Sequence, residues 1–260
     1  MKRKIMSFFV LAVLFLLSSC ASEVRQINEV RQTHQDAVNM MNIGHAYLIQ
    51  GNYTIALQKL LKAEMTIHND PYLEDDLGLV FMAKKRFDLA EKHFKKAVMI
   101  KPDYIPAKNN LGTAYLQQKK WDIAITIFKS ISDNLLYATP HYPLSNIGWA
   151  YIGKKEYNTA KKNFLKALKL KPDFIPAIHG LATVYIKTDN GYPAVNLLTK
   201  ALNNDPRVII FHADLAKTYE VMHQFSKAKR SWETLIGLVP PESSLAIEAK
   251  DHIKQLTAIP

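Results

Sequence analysis

One pattern recurs along this chain at a spacing of 34 residues, and a recurrence of that length is the mark of a stacked-repeat architecture. A small residue following an aliphatic one stands at Gly44, Gly78, Gly112, Gly148, Ala182 and Ala216, with gaps of 34, 34, 36, 34 and 34. Three residues beyond each lies an aromatic: Tyr47, Phe81, Tyr115, Tyr151, Tyr185 and Tyr219. Twelve beyond lies an alanine, at 56, 90, 124, 160, 194 and 228, and four further on a large apolar residue, Leu60, Phe94, Phe128, Phe164, Leu198 or Trp232.

These positions predict two antiparallel helices per repeat, crossing closely where the small residues face each other. The aromatics then fill the wedge between one helix pair and the next, at ~25 cal/mol per Å² of apolar area removed from water. A single pair cannot bury its apolar face, so stability comes from stacking. Pro102, Pro172, Pro206 and Pro240 follow the second helices, where a residue without an N–H ends them. Pro106 and Pro176 fall in first turns, where that donor is unsatisfied anyway. The pattern resembles the tetratricopeptide signature, L-G-x-x-Y followed by A-x-x-x-F and a closing proline. The expected fold is therefore all-α: a tetratricopeptide repeat solenoid of six helix-turn-helix repeats at 37–70, 71–104, 105–140, 141–174, 175–208 and 209–242. A last helix over 243–260, with Ala246, Ala249, Ile253 and Leu256 on one face, suits a cap over the final apolar surface.

The N-terminus reads differently. Lys2, Arg3 and Lys4 precede an apolar run from Ile5 to Leu17 broken only by Ser7, then Ser18, Ser19 and Cys20. This is an export signal over 1–19 and too short for a span, which takes ~20 apolar residues. Cys20 is the chain's one cysteine, so it has no internal disulfide partner. Leu17-Ser18-Ser19-Cys20 resembles the bacterial lipobox, which implies a covalent lipid on Cys20 and no other cofactor. Ala21 in place of an aspartate implies the outer membrane, with the protein lipid-anchored on its periplasmic face. Residues 20–36 are polar and serve as a tether or a frayed helix. Without residues 1–19 the formal charge falls from +11 to +8, since three of 34 basic residues leave and the 23 acidic ones stay.

Chemistry is sparse. Nine histidines include no H-x-x-x-H pair and no ligand spacing for a metal, and no phosphate loop or nucleophile elbow is present. The chain is read as a binding scaffold, not an enzyme, with no metal and no small-molecule substrate. The first helices of such repeats line a concave groove. Its expected wall comprises Met41, His45 and Leu48; Asp75, Leu79 and Met82; Asn109, Asn110, Thr113 and Leu116; and Tyr142, Ser145, Asn146, Trp149 and Ile152. Trp149 is the sharpest candidate for an anchor, since buried aromatics carry much of the energy of interfaces, with packing between repeats as its other reading. Asn110 and Asn146 hold equivalent positions, suited either to an extended ligand's backbone or to contacts between helices. Met41 stands where a carboxylate-clamp lysine belongs, which excludes a chaperone cofactor of that type.

The turns between paired helices carry Lys84, Lys85 and Arg86, then Lys119 and Lys120, then Lys154 and Lys155. Cations there offset the helix dipole, by ~0.3–1 kcal/mol each. A basic edge facing anionic headgroups or an acidic partner is the competing account. Nucleic acid is excluded as a partner by export.

Around the third repeat the likeness narrows. Asn109-Asn110-Leu111-Gly112, Lys119-Lys120-Trp121, Asp133-Asn134-Leu135-Leu136-Tyr137-Ala138-Thr139-Pro140 and Ser145-Asn146-Ile147-Gly148-Trp149 resemble type IV pilus biogenesis lipoproteins of the PilF/PilW kind. The resemblance implies a pilotin, which binds the pilus secretin and promotes its outer-membrane localisation and multimerisation. A general envelope adaptor, docking peptidoglycan hydrolases or proteases, is the alternative.

Overall fold

The computed structural model describes residue 26, residues 28–133 and residues 138–257. The export segment 1–19, the expected lipid site Cys20, and residues 134–137 of the lengthened junction lie outside the described residues.

Every regular element among the described residues is a helix. The first, α1, covers 28–49, so residues 28–36 take the helical one of their two readings and continue the first helix of repeat one. Helix pairs follow: α2 (Tyr53–Glu64), α3 (Pro71–Ala83) with α4 (Phe87–Ile100), α5 (Ile105–Gln117) with α6 (Trp121–Ser132), and α7 (His141–Gly153) with α8 (Tyr157–Leu170). Then come α9 (Ile175–Lys187) with α10 (Gly191–Asn204), α11 (Ile209–Val221) with α12 (Phe225–Leu238), and α13 (Ser244–Thr257). No helix among the described residues is long and apolar enough to cross a membrane.

The chain forms two compact units, Met1–Asn110 and Leu111–Pro260, with the division inside α5. In the first, α3 packs on α2 and α4 around a core of Leu60, Leu73, Leu77 and Val80. Asp70 caps α3, accepting hydrogen bonds from the backbone N–H of Tyr72 and Leu73 at 2.8 Å each, with Pro71 at the first helical position. In the second, each helix packs on its successor from α6 to α13. Ser243 Oγ accepts from the Ala246 N–H at 3.2 Å and starts α13, whose Ala246 and Ala249 are buried. Ala249 joins the cluster that holds Trp232 and Leu235 of α12.

The repeated small residues have the cause expected of them. A Cβ placed on Gly148 would lie 2.7 Å from the Phe164 ring, and one on Gly78 would also strike its partner ring, Phe94. Phe164 is shared between neighbours, because a Cβ on Gly180 of the next repeat meets the same ring. Phe94, Phe128, Phe164 and Trp232 are all fully buried.

The turns within repeats share one backbone solution. Gly51, Lys85, Lys119, Lys155, Asp189 and His223 all sit at positive φ, between 52° and 76°. The next residue's N–H reaches back to the carbonyl of the repeat's aromatic: Arg86 to Phe81 at 2.8 Å, Lys120 to Tyr115 at 2.9 Å, Glu156 to Tyr151 at 2.9 Å. This left-handed closure satisfies carbonyls that a helix end leaves open.

Candidate functional site

The expected wall residues fall in both units: Met41, His45, Leu48, Asn109 and Asn110 in the first, Thr113, Tyr142, Asn146 and Trp149 in the second. In the first unit, Met41 and Leu48 lie half-buried against the core. His45, its side chain 53% exposed, bonds through Nδ1 to both carboxylate oxygens of Asp76 at 3.0 Å. Asp75 is buried, not open on the wall. It accepts from Asn110 Nδ2 at 2.9 Å and from the Tyr104 hydroxyl at 3.4 Å. Asn110 is thus engaged by its own fold, the second of its two readings. Leu79, Met82 and Asn109 are half-buried.

Burial governs the electrostatics here. It pushes the Asp75 carboxyl up to about 6, against the opposing Asn110 hydrogen bond and with help from neighbouring Asp76. Burial likewise raises Asp76, opposed by the hydrogen bond from His45. Tyr104 is pushed up by burial and by the Asp75 charge. Burial pushes at Glu74 in the same sense, yet hydrogen bonds from His93 and Lys96 outweigh it and hold that carboxyl below its ordinary value.

The Glu74 cluster was not visible in the sequence. Glu74 of α3, Glu64 of α2 and His93 of α4 bring potential ligand atoms within 4.8 Å of one another. His93 Nδ1 lies 2.8 Å from Glu74, and the Lys96 ammonium pairs with Glu74 and approaches Glu64 at 3.8 Å. Lys96 already supplies the cation, so the group is a charge network tying three helices together. Three separate helices contribute to it, which is why no local spacing announced it.

In the second unit, Tyr142 is 44% exposed, while Thr113, Leu116, Asn146 and Ile152 are half-buried. Trp149 is half-buried, its ring edge-on to Phe164 at 5.7 Å and 5.0 Å from the His179 ring. This packing is the second of its two readings. His179 in turn holds buried Asp214, Nδ1 to Oδ2 at 2.7 Å. Ser145 is buried with its hydroxyl unpartnered, and so is His141 at Nε2, one helical turn earlier.

The basic turns are less open than their sequence implies. Arg86 bonds Asp88 at 3.3 Å, Lys120 lies over the Tyr115 ring at 5.3 Å, and Lys154 bonds Asp122 at 2.7 Å and Glu156 at 3.3 Å. Lys84 is exposed, and Lys85, Lys119 and Lys155 are exposed at the left-handed position of each turn. The expected edge is therefore partly neutralised by local carboxylates.

Comparison with known proteins bears on this geometry. Tetratricopeptide repeat models match residues 81–135 and 143–174. PilW, described as a widely conserved type IV pilus biogenesis factor, superposes with a TM-score of 0.72 at 16% identity, over 85% of this chain and 98% of its own. PilF of Pseudomonas aeruginosa superposes with a TM-score of 0.63 at 20% identity, over 85% of this chain and 99% of its own. The BBSome complex member BBS4 of Bos taurus is 25% identical over 213 residues, and the chain spans 41% of that relative's length. The matched residues are tetratricopeptide repeats, and the chain as described has an all-α tetratricopeptide fold of the kind PilW and PilF share.

Proposed function

We propose that this chain is a non-catalytic protein-binding scaffold of type IV pilus biogenesis, an outer-membrane lipoprotein acting as a pilotin. The observation that carries the reading is the likeness to PilW and PilF, which takes in 85% of this chain and nearly all of theirs. The lipobox-like Leu17-Ser18-Ser19-Cys20 supports it from the other end of the chain. In this mechanism the repeats bind a segment of the pilus secretin stoichiometrically. Acyl chains on Cys20 supply the membrane address, each buried CH₂ contributing ~0.8 kcal/mol.

The test is Cys20→Ala in the native host, with fractionation of this protein and of the secretin, and secretin multimers followed on non-denaturing gels. Both proteins are expected to leave the outer-membrane fraction, and multimers to fall. Unchanged multimers alongside a mislocalised variant would overturn the pilotin role. Crosslinked capture of envelope hydrolases or proteases in place of secretin would favour the adaptor reading instead.

A further inference from the structure

In the second unit, α6 and α8 both pack on α7, and a trough of about 550 Å³ lies between them, within the size range of ligand-holding clefts. Its floor is apolar, with buried Ile147 and half-buried Tyr151 from α7 and the 46%-exposed Leu165 on the α8 side. Its rims are cationic: Lys129 on α6, and Lys162, Lys166 and Lys169 on α8. All four lysines are exposed, and none pairs with a carboxylate among the described residues. No acidic residue lines the trough.

Generic helix chemistry does not produce this. Helix α8 has four lysines and no acidic residue in 14 positions, and Lys161 and Lys162 stand well before its last turn, where cations complement the dipole. Like charges three and four apart on one helix repel and weaken it. A second cleft of the same unit, lined by Leu168 of α8 and Leu197 of α10, has Asp173 and Asp205 beside its one lysine, Lys200. The cationic lining sets the α6–α7–α8 trough apart from that cleft.

We infer that this trough is a docking site for an extended acidic segment of another protein, with carboxylates at alternate positions. The spacing fits. Lys162 and Lys166 are separated by ~6 Å along the helix axis, and side chains on one side of an extended chain recur every ~6.6 Å. An acidic strand laid along the trough presents successive carboxylates to the α8 lysines while Tyr151 and the exposed Leu165 receive its apolar contacts. A flat anionic bilayer fits less well, because Tyr151 is only half-exposed between the exposed lysines of α6 and α8, within reach of a narrow chain and not of a plane. The proposal stands whether or not the partner belongs to a pilus.

The test is fluorescence anisotropy of a labelled acetyl-Gly-Glu-Leu-Glu-Thr-Glu-Gly-amide peptide with the purified full-length protein. Binding is expected, and it should weaken from about 0.1 M to about 1 M salt as the screening length falls from ~10 Å to ~3 Å. The triple variant Lys162→Glu/Lys166→Glu/Lys169→Glu should bind at least about tenfold more weakly. A control triple, Lys187→Glu/Lys200→Glu/Lys254→Glu, changes net charge equally at exposed sites elsewhere and should bind as the parent does. Circular dichroism verifies that both variants keep their helix content. Equal losses in both triples reduce the effect to net charge and overturn the site. Binding to phosphatidylglycerol vesicles without binding to the peptide overturns the choice of partner, and no binding to either overturns the proposal. Loss of the peptide with secretin multimers intact would separate this site from the pilotin role.

Discussion

Helices α4 and α8 are the same element in two repeats, and they differ almost only on the side that faces water. Each has 14 residues and buries the same frame, Ala90, Phe94 and Ala97 in one and Ala160, Phe164 and Ala167 in the other. Their lysines differ in how far they are matched. On α4, Lys95 pairs with Glu91 at 2.6 Å and Lys96 neutralises Glu74, so two of its three lysines are matched inside the first unit. On α8, Lys162, Lys166 and Lys169 meet no carboxylate and point their charge outward. The buried frame fixes the fold, and the remaining positions are free to serve either cohesion or recognition.

Three measurements break or sharpen this contrast. The largest effect should come from the frame itself. Phe94→Ala and Phe164→Ala should each cost ~3–5 kcal/mol in urea unfolding. Phe164→Ala should be the more costly, since its ring fills the space beside both Gly148 and Gly180. A smaller loss at Phe164 than at Phe94 would contradict the shared packing.

The second measurement is the pH dependence of the first unit's buried acids. The folded protein holds Asp75 at about 6, above the 3.8 of a free carboxyl. Its contribution is therefore full below 3.8 and is lost as pH rises through about 6. About two pKa units correspond to ~3 kcal/mol. Asp75→Asn should be more stable than the parent at neutral pH and not at pH ~4, a difference thermal unfolding at the two values reads directly. Glu74 acts in the opposite sense, its stabilisation present above 4.5 and fading as pH falls.

The smallest effect contrasts the two lysine sets. Lys96→Met strips buried Glu74 of its cation, and should cost ~1–2 kcal/mol after allowance for screening of a partly exposed ammonium. Lys166→Met should change stability by less than ~0.5 kcal/mol. Equal costs for the two would show that α8's lysines have a structural role after all.

Much of the architecture was legible because its determinants are local and repeated. A glycine sixteen residues before a phenylalanine announces a close helix crossing without knowledge of anything else, and the all-α repeat fold follows. The surroundings of the expected wall were harder to read. Glu74, Asp75 and Asp76 are three consecutive acids that any hydropathy pattern assigns to water, yet each is buried and met by a partner 19 or more residues away: His93, Asn110 and His45. Trp149 carries no local sign that His179 and Phe164 will close over it. The lysines of α8 carry no such sign, because the expected groove and basic edge lie on first helices and turns, whereas the trough is made chiefly by the flanks of second helices.

The Phe164 ring has one more consequence. It sits at once beside Gly148 of its own repeat and Gly180 of the next, as a pin passing through two adjoining plates. Separating those two repeats empties a fully occupied socket on both sides in one event, so under pulling force this part of the chain should give way as a block and not peel off a repeat at a time.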